Sequence, residues 1–434
     1  MLKTIFSDFL WIYRKYLARF FVFRLLRAFL LLLYQQWYRV GSFMNARPES
    51  GPYSFVTLKM VAKESQYKSI VVAGDETIPI SAPTFSGYGS EIAGSRNPAI
   101  SIVAPSLEVV EFPGAVAVGG VDFVFVGGRA VHHDLYDIRA HRCPGENIGV
   151  VSIDRRRGSV ALRSRRPPLS VGVVASLIGQ CSANYAHWLT ETLPKLAILD
   201  ACGAFMDVPL LVDAGLHENI YESIRLLNRG RRELVRVERW QSVVADSIIC
   251  VSQPGYERYA PHDIYGAEAP GYSNVFSRKA LRMLRDASLE ALAAEFRPKW
   301  KKLYLGRNAR VGNIRKIENA AEVEEVMREQ GFEVITPETM TFSEQVATCC
   351  NAEVIVAPIG AALANMTFAP PGCDVIALSP FYEKANYFYY TNLAGVLGHR
   401  LQYVLGRQVS SAQHPMHRNY EIDLSCLRAA LRPW

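Results

Sequence analysis

The sequence has 434 residues, of which 50% are hydrophobic, 21% are charged and 11% are aromatic. This composition excludes extended disorder, a collagen-like repeat and a coiled-coil rod, and the length suffices for two or three domains. The net charge of +7 is concentrated at one end, since residues 1–50 contain eight basic and two acidic side chains and carry +6. The remainder is nearly neutral, which disfavours a nucleic-acid-binding protein.

Residues 1–45 predict a basic, hydrophobic helix rich in Leu, Arg and aromatic residues. Its longest uncharged stretch, Ala28–Tyr38, is too short to span a bilayer, which needs about 20 residues. We expect the segment to lie on an anionic membrane surface. The alternative is a helix docked on the protein body or on a second subunit. The scattered cysteines, without a CxxC pair, favour the cytoplasm, and hence the inner face of the plasma membrane.

Residues 51–290 predict an N-terminal lobe that begins with a β-rich part. Short β-branched runs between glycines and prolines indicate strands up to about residue 138. Strands and helices then alternate, with strands at 171–179, 208–215 and 233–238, and helices at 185–202 and 218–228. This alternation is typical of βαβ units in a parallel sheet.

Residues 291–410 predict a second alternating lobe. The predicted strands are 301–306, 331–337, 352–358, 373–379 and 400–406, and the predicted helices are 319–330, 341–351, 363–368 and 384–397. Residues 411–434 are predicted to be a C-terminal tail that packs back on the N-terminal lobe. The fold class is therefore α/β, with two Rossmann-like lobes of parallel sheet facing a cleft. Ligands are expected at the carboxyl ends of the strands.

Two features of the second lobe predict an anion-binding site. The buried strand VIVAP is followed by Gly360 and Ala361, whose small side chains let backbone N–H groups approach a diphosphate at the next helix. Arg307, Arg310 and Arg315 follow the strand 301–306, where guanidinium groups can bind phosphate in a bidentate manner. A plain strand–helix turn and a solvated basic loop are the alternatives.

The segment from Asn184 to Glu191 is the candidate for proton chemistry. Asn184 is a plausible N-cap, and His187 and Glu191 are four residues apart on one helical face. Either side chain can act as a general base for a hydroxyl group. The alternative is a packed histidine paired with Glu191 for structural reasons.

No known metal-binding motif is present, so metal-independent chemistry is expected, without a cofactor. His132 and His133 are adjacent in a predicted strand, and adjacent strand residues point to opposite faces of a sheet. They are therefore predicted to be structural.

Four motifs, in this order along the chain, together resemble glycosyltransferase family 61. They are NYAHW with Glu191 (184–191), the three arginines (307–315), GFEVITPETMTFSEQ (331–345) and PIGAALANMTFAPPG (358–372). The resemblance is clearest over 303–380. It implies a GT-B-like architecture and an inverting, metal-independent transfer of a sugar from a nucleotide donor. Bacterial relatives of this kind act in capsule, exopolysaccharide or lipopolysaccharide assembly.

The resemblance also implies roles for individual residues. Those assigned to the donor are Arg307, Arg310, Arg315, Glu344, Gln345, Gly360, Ala361 and Asn365. His187 and Glu191 are assigned to activation of the acceptor, with Glu191 preferred as the base, and Asn184 and Trp188 lie on the acceptor side. The family commonly has a histidine immediately before the Gly-Ala pair, and this chain has Ile359 there, so any contact of that histidine is lost.

The sequence therefore predicts a membrane-associated glycosyltransferase, a hexosyl- or pentosyltransferase. Its donor is expected to be a UDP-linked nucleotide sugar, and its acceptor a growing surface polysaccharide or lipid-linked glycan. One alternative is a pyruvyl- or phosphotransferase that modifies polysaccharide. Another is a non-catalytic nucleotide-sugar-binding or scaffold subunit of a polysaccharide assembly complex.

Overall fold

The structure, a computed structural model, describes residues 47–48, 51–258, 274–292, 301–307, 315–383, 385, 387–409 and 415–434. The predicted N-terminal helix (1–45) and Arg310 lie outside the described residues. The strands are β1 (Arg47–Pro48), β2 (Tyr53–Thr57), β3 (Lys68–Ala73), β4 (Glu76–Ile80), β5 (Thr84–Gly87), β6 (Ile100–Ala104), β7 (Leu107–Pro113), β8 (Val116–Val118), β9 (Val124–Val126), β10 (Arg129–His132), β11 (Val151–Asp154), β12 (Ser159–Ser164), β13 (Arg166–Ser176), β14 (Leu210–Asp213), β15 (Leu234–Val237), β16 (Gln241–Val251), β17 (Gly255–Glu257), β18 (Asn274–Phe276), β19 (Lys302–Leu305), β20 (Glu333–Ile335), β21 (Val354–Pro358), β22 (Asp374–Pro380), β23 (Arg400–Gln408) and β24 (Tyr420–Glu421).

The helical segments include one π-helical and three 3-10 segments among the described residues. They are α1 (Leu58–Val61), α2 (Ser90–Arg96), α3 (Pro144–Asn147), α4 (Tyr185–His187), the π-helix Trp188–Thr192, α5 (Pro194–Ala201), α6 (Glu218–Asn228), α7 (Arg278–Leu292), α8 (Ala320–Glu329), the 3-10 helix Pro337–Thr339, α9 (Phe342–Cys349), the 3-10 helix Ala361–Phe368, α10 (Phe388–Leu397), the 3-10 helix Pro415–His417 and α11 (Leu424–Leu431). Within the described ranges, no helix is both long and apolar enough to cross a bilayer.

The larger sheet joins a β-rich N-terminal region to a parallel part. Its main path over the described residues is β1-β12-β2-β10-β9-β8-β16-β13-β14-β15, with β11 beside β12, and β7 between β16 and β3. Most pairs on the β1 side of the sheet are antiparallel, as at β8–β9 and β9–β10. This confirms the predicted β-rich region.

The parallel part of this sheet consists of β13, β14, β15 and β16, in the spatial order β15-β14-β13-β16. Helical crossovers connect β13 to β14 and β14 to β15, whereas only residues 238–240 connect β15 to β16. The strand order reverses beside β13, so the carboxyl ends of β13 and β16 are adjacent, with Ala175 paired to Ile249. Ligand sites in open parallel sheets lie at such reversals.

The second sheet has the parallel order β20-β19-β21-β22-β23, extended by β5 and β24. Strand β21 (VIVAP) is buried along its whole length, as expected for a strand covered on both faces. In chain order the five parallel strands are arranged 2-1-3-4-5, and the order reverses between β19 and β21. The regular alternation predicted for residues 301–406 is thus present as a doubly wound sheet.

The two ends of the chain contribute to the second sheet. Strand β5, from the β-rich N-terminal region, pairs with β23 in parallel. Strand β24 pairs with β23 from the C-terminal tail, and Arg428 on α11 forms a 2.6 Å ion pair with Glu329 on α8. The tail therefore lies on the second sheet, where α11 also contacts β5 of the N-terminal region. Strand pairing over long sequence separations is what a local pattern does not reveal.

Helix α7 lies in the core between the two parallel sheets. Its buried residues Ala280, Leu281, Leu284 and Ser288 have helical spacing and contact α5, α6, α9 and α10. The largest hydrophobic cluster includes residues from both parallel sheets, such as Leu210 of β14 and Ile355 of β21. The elements that follow the two strand-order reversals are therefore held in contact by a shared core.

Candidate active site

The segment after β13 starts with the predicted N-cap and continues into a π-helix. The Asn184 side chain accepts a 3.0 Å hydrogen bond from the backbone N–H of Ala186, as predicted. The turn then widens, and the N–H of Leu193 donates to the carbonyl of Trp188, five residues earlier. Pro194 begins α5 directly after this turn, and it has no N–H to donate. Short π-helical turns of this kind are often found at functional sites.

His187 lies between two carboxylates, in a group that we call the His–Glu cluster (His187, Glu191 and Glu257). Its Nδ1 is 2.8 Å from Oε1 of Glu191, and its Nε2 is 3.5 Å from Oε2 of Glu257. The backbone N–H of Glu257 donates to the same Oε1 of Glu191 at 3.2 Å. The predicted pair is therefore present, and Glu257, at the end of β17, joins it from the segment that follows β16.

Gly255 allows β17 to approach the π-helix this closely. A Cβ atom at this position would lie 2.5 Å from the carbonyl oxygen of Thr190 and 2.7 Å from the ring of Phe276. Only glycine fits such a backbone contact without a shift of the strand. The close approach brings Glu257 within reach of His187.

The surroundings of His187 favour its charged form. Burial alone disfavours the imidazolium, but the carboxylate of Glu191, its hydrogen bond and the charge of Glu257 outweigh that effect and raise the pKa of His187 to about 9. The imidazole is consequently protonated at neutral pH, with an N–H directed to each carboxylate. It can orient and stabilise carboxylates, and it has no free lone pair with which to accept a proton.

The second strand-order reversal carries arginines. Arg307 follows β19, and its Nη2 donates to the carbonyl of Ile359, just beyond β21, while Nη1 donates to the carbonyl of Arg315 at 3.4 Å. A Cβ atom on Gly360 would lie only 1.8 Å from Nη2 of Arg307. Glycine at 360 therefore lets the guanidinium of Arg307 lie across the turn after β21, between the carboxyl ends of the two strands.

Arg315 lies beside Arg307, and we call these two residues the arginine pair. Burial and the like charge of Arg307 lower the pKa of Arg315, and its buried Nε has no hydrogen-bond partner among the residues that the structure describes. Its backbone has φ +64°, in the left-handed region that non-glycine residues rarely adopt. Two adjacent guanidinium groups with an unsatisfied donor favour the binding of an anion.

Two consecutive tyrosines at the start of α10 contact both groups. The ring of Tyr389 lies 5.8 Å from the ring of His187, and its hydroxyl is 3.1 Å from Oγ1 of Thr190. The hydroxyl of Tyr390 donates to the carbonyl of Gly360 at 2.7 Å. Arg307, Arg315 and Glu257 all influence the Tyr390 hydroxyl electrostatically. The His–Glu cluster and the arginine pair therefore border one region.

A buried network connects the two motifs below this region. The hydroxyl of Tyr185 donates to Oδ1 of Asn365 at 2.9 Å, and Nδ2 of Asn365 donates to Oε1 of Gln345 at 2.8 Å. Nε2 of Gln345 donates to the carbonyl of Met340. Asn365 and Gln345 are both buried, so their amide groups hold the two parts of the protein together.

The remaining predicted site residues have varied positions. Ala361 is exposed at the start of the 3-10 helix that follows Gly360. Glu344 forms a capping box at the start of α9, where its carboxylate accepts from the N–H of Thr341 at 2.8 Å. Trp188 is fully buried, and its Nε1 donates to Ser223. Glu344 thus has a partner in its own helix cap and Trp188 has one on α6, and their predicted donor and acceptor roles stay predictions.

His132 and His133 do not point to opposite faces, and the reason given for treating them as structural is wrong. Strand β10 ends at His132, so the alternation of side chains does not extend to His133. Both imidazoles approach Asp122, with Nε2–carboxylate distances of 2.9 Å for His132 and 3.8 Å for His133.

Sequence reasoning missed Glu257, Tyr389 and Tyr390. Glu257 ends a short strand after Pro254 and Gly255, and an acidic residue at a strand end after a Pro-Gly pair is a usable signal. The run YFYY (387–390) lies within a predicted helix and is unusually aromatic. Neither signal indicates which distant segment the residues contact.

Residues 185–376 match the family model described as Glycosyltransferase 61. The matched region contains the His–Glu cluster, the arginine pair and the turn at Gly360. The match supports glycosyltransferase family 61, as the motifs indicated, and suggests a glycosyltransferase. No curated protein matches the chain.

Proposed function

We propose that this protein is an inverting glycosyltransferase that uses a nucleotide-sugar donor. The observation that carries the proposal is the meeting of two chemically different groups at two strand-order reversals. The arginine pair suits a diphosphate, and the His–Glu cluster offers carboxylates for an acceptor hydroxyl. Tyr389 and Tyr390 connect them. A donor and an acceptor must be held side by side for direct transfer.

The proposed reaction is a single displacement. A carboxylate accepts the proton of the acceptor hydroxyl while its oxygen attacks the anomeric carbon of the donor sugar. The bond from that carbon to the phosphate oxygen breaks, and the nucleoside diphosphate leaves with the electron pair. Arg307 and Arg315 stabilise the negative charge that develops on the departing diphosphate. Inversion at the anomeric carbon follows from attack opposite the leaving group.

Glu257 is the proposed base, in place of Glu191. Both carboxylates contact His187, but one oxygen of Glu191 already accepts from His187 and from the backbone of Glu257. The side chain of Glu257 is 28% exposed, compared with 6% for Glu191 and 11% for His187. Glu257 is therefore the carboxylate that a substrate can reach, and His187 and Glu191 act as positioning residues.

We extend the proposal to the donor, the acceptor and the location. The two parallel sheets, with candidate residues at both reversals, support a GT-B-like division into an acceptor lobe and a donor lobe. UDP is the proposed nucleotide, with a hexose or pentose, and the acceptor is a surface polysaccharide or a lipid-linked glycan. The concentration of basic charge in residues 1–50 supports attachment to the cytoplasmic face of the plasma membrane.

A nucleotide panel tests the proposal. We expect UDP to raise the melting temperature of the full chain more than GDP, CMP or phosphoenolpyruvate does, and Arg307→Ala to abolish that shift. UDP-sugar hydrolysis or transfer should accompany binding. A preference for phosphoenolpyruvate would favour the pyruvyltransferase alternative. Nucleotide binding without any turnover, across a panel of acceptors, would favour the scaffold alternative.

The membrane proposal has a separate test. Deletion of residues 1–45 should release the protein from vesicles that contain anionic lipid and leave UDP binding unchanged. Equal partitioning of the full and the shortened chain would contradict a role of this segment at the membrane.

A further inference from the structure

A second cluster of chemically versatile side chains lies beside the His–Glu cluster and takes no part in the proposed reaction. It consists of Asp122, His132 and His133. One nitrogen of each imidazole and the carboxylate of Asp122 lie within 4.8 Å of one another. His132 is 2% exposed and His133 is 7% exposed. Two imidazoles and a carboxylate form a common ligand set for divalent transition metals.

The distances within this cluster suit one small ion. Nε2 of His132 is 2.9 Å from Oδ1 of Asp122, and Nε2 of His133 is 3.8 Å from Oδ2. Ligands that bind a tetrahedral zinc ion at about 2.0–2.1 Å are separated by roughly 3.3 Å. The observed separations lie on either side of this value. Small rotations of the side chains would bring all three atoms to the required distance.

The cluster of Asp122, His132 and His133 also contains buried polar atoms that lack a hydrogen-bond partner among the described residues. Both ring nitrogens of His133 are buried, and neither has a hydrogen-bond partner within the described part of the chain. The cluster lines a cavity of about 30 Å³, together with Lys195, Cys250 and Gln253. A buried polar atom without a partner costs about 1–3 kcal/mol, and a site of this volume can hold an ion with a water molecule. The imidazole of His133, which has no hydrogen-bond partner among the described residues, supports a bound ligand independently of the types of residue in the cluster.

We propose that Asp122, His132 and His133 bind one divalent transition-metal ion of the zinc class, with a water molecule completing its coordination. His132 directs Nε2 to the Asp122 carboxylate, so metal binding at Nε2 requires the imidazole tautomer that carries its proton on Nδ1. The proposal does not depend on the proposed function, and the ion takes no part in the transfer reaction.

Lys195 limits the affinity of this site. It is buried on α5, lines the same cavity and is attracted electrostatically to Asp122. Its positive charge competes with a cation for the same carboxylate. Removal of this charge should therefore strengthen metal binding.

An ion bound by Asp122, His132 and His133 would affect the structure of the neighbouring His–Glu cluster. The ring of His133 packs on Tyr256 at 4.4 Å between centroids, and Tyr256 is the residue before Glu257 in β17. Asp122 and His132 belong to the larger sheet and its connection to β9. A bound ion would fix His133 against Tyr256, and it would thereby stabilise the strand that carries Glu257.

Cobalt(II) titration of the untagged full chain, after removal of metal with EDTA, tests the proposal. We expect one ion per chain, with visible absorption bands of a four- or five-coordinate site and displacement by zinc. Asp122→Asn and His133→Ala should each weaken binding at least about 100-fold, beyond the 10–100-fold that loss of a supporting partner causes. Lys195→Met should strengthen it about tenfold or more.

His217→Asn, at an exposed helix N-cap, is the matched control and should bind cobalt like the wild type. The absence of the absorption bands in the wild type would overturn the proposal. So would binding that Asp122→Asn leaves unchanged. If His133→Ala does not fold, cobalt binding by Asp122→Asn and Lys195→Met still tests the proposal. Unchanged or weaker cobalt binding by Lys195→Met also contradicts it.

Discussion

The two strand-order reversals have similar backbone positions and opposite chemistry. At β13 and β16, the following segments bring together a histidine and two carboxylates, and at β19 and β21 they bring together two arginines and a glycine turn. The first region is arranged around proton binding, since the carboxylates raise the pKa of His187 to about 9. In the second, burial and the charge of Arg307 lower the pKa of Arg315.

This difference indicates that the two regions have different functions. In the His–Glu cluster the two carboxylates stabilise the charge of His187 without a ligand, and His187 can hold a carboxylate in a defined position. In the arginine pair, the charge of Arg307 disfavours the charged form of Arg315, whose buried Nε has no hydrogen-bond partner among the described residues, so Arg315 gains when an anion binds. The following predictions test whether the first region controls turnover and the second controls donor binding.

The largest expected effect is on catalysis by the first region. Glu257→Gln should lower kcat about 10³-fold, because general-base catalysis contributes about 10²–10⁴-fold. Donor affinity, measured by calorimetry with UDP, should change less than about twofold. Glu338→Gln, at an exposed position, is the control. Full activity in Glu257→Gln, with a large loss in Glu191→Gln, would restore Glu191 as the base.

The second expected effect is on donor binding. Arg307→Ala should weaken UDP binding and lower kcat/KM about 10²-fold, because it removes a charge-assisted contact to the diphosphate. Arg307→Lys should retain part of the affinity, since it keeps the charge and loses the bidentate geometry. Arg156→Ala, on an exposed turn, is the control. Unchanged UDP binding in Arg307→Ala would separate the arginine pair from the donor.

A substitution at the turn should alter the second region without removal of a charge. Gly360→Ala would place a methyl group 1.8 Å from Nη2 of Arg307 and displace the guanidinium. We expect UDP affinity to fall about tenfold and stability to fall by about 1–3 kcal/mol in urea unfolding. Gly94→Ala, in α2, is the matched control, since a Cβ there meets nothing within 4 Å. A wild-type affinity in Gly360→Ala would contradict the position of Arg307.

The stability of the first region should depend on pH. The pKa of His187 is raised in the folded protein, so its stabilising effect is complete below the usual value of 6.5 and is lost as the pH rises through about 9. Between pH 6 and 9.5, the wild type should lose roughly 1–3 kcal/mol relative to His187→Gln. Urea unfolding of both proteins measures this, with His217→Asn as the control. A pH-independent difference would show that the carboxylates do not stabilise the imidazolium.

The smallest expected effect concerns the connection between the regions. Tyr185→Phe removes the hydrogen bond to Asn365 and leaves Oδ1 of Asn365 without its donor. We expect a loss of about 1 kcal/mol in stability, with UDP affinity and kcat within about threefold of the wild type. A much larger loss of activity would mean that the buried network positions the reacting groups.

Much of the fold was predictable because it depends on local patterns. The helix Glu218–Asn228 was predicted to the residue, and the strands around VIVAP and CDVIALS were predicted within two residues at each end. Apolar runs and helical spacing report burial directly. The Asn184 cap and the His187–Glu191 pair were predictable for the same reason, since both are contacts between residues within one turn of helix.

Other features depended on segments far apart in the chain. Strand β5 pairs with β23 across about 300 residues, and Glu257 reaches His187 from a strand that lies about 70 residues away. His133 approaches Asp122 only because β10 ends one residue earlier. A sequence pattern reports which face of an element is buried, and it does not report which other element covers that face.

The sequence by itself determined the alternating α/β architecture, the types of residue at the strand ends and the concentration of basic charge near the N-terminus. The tertiary structure decided which of these residues meet. It joined Glu257 to the predicted pair and placed Tyr389 and Tyr390 between the two regions. It also paired Trp188 with Ser223 on α6. Charge, size and helical spacing are properties of the residues themselves, whereas reactive geometry arises only when distant strands pack side by side.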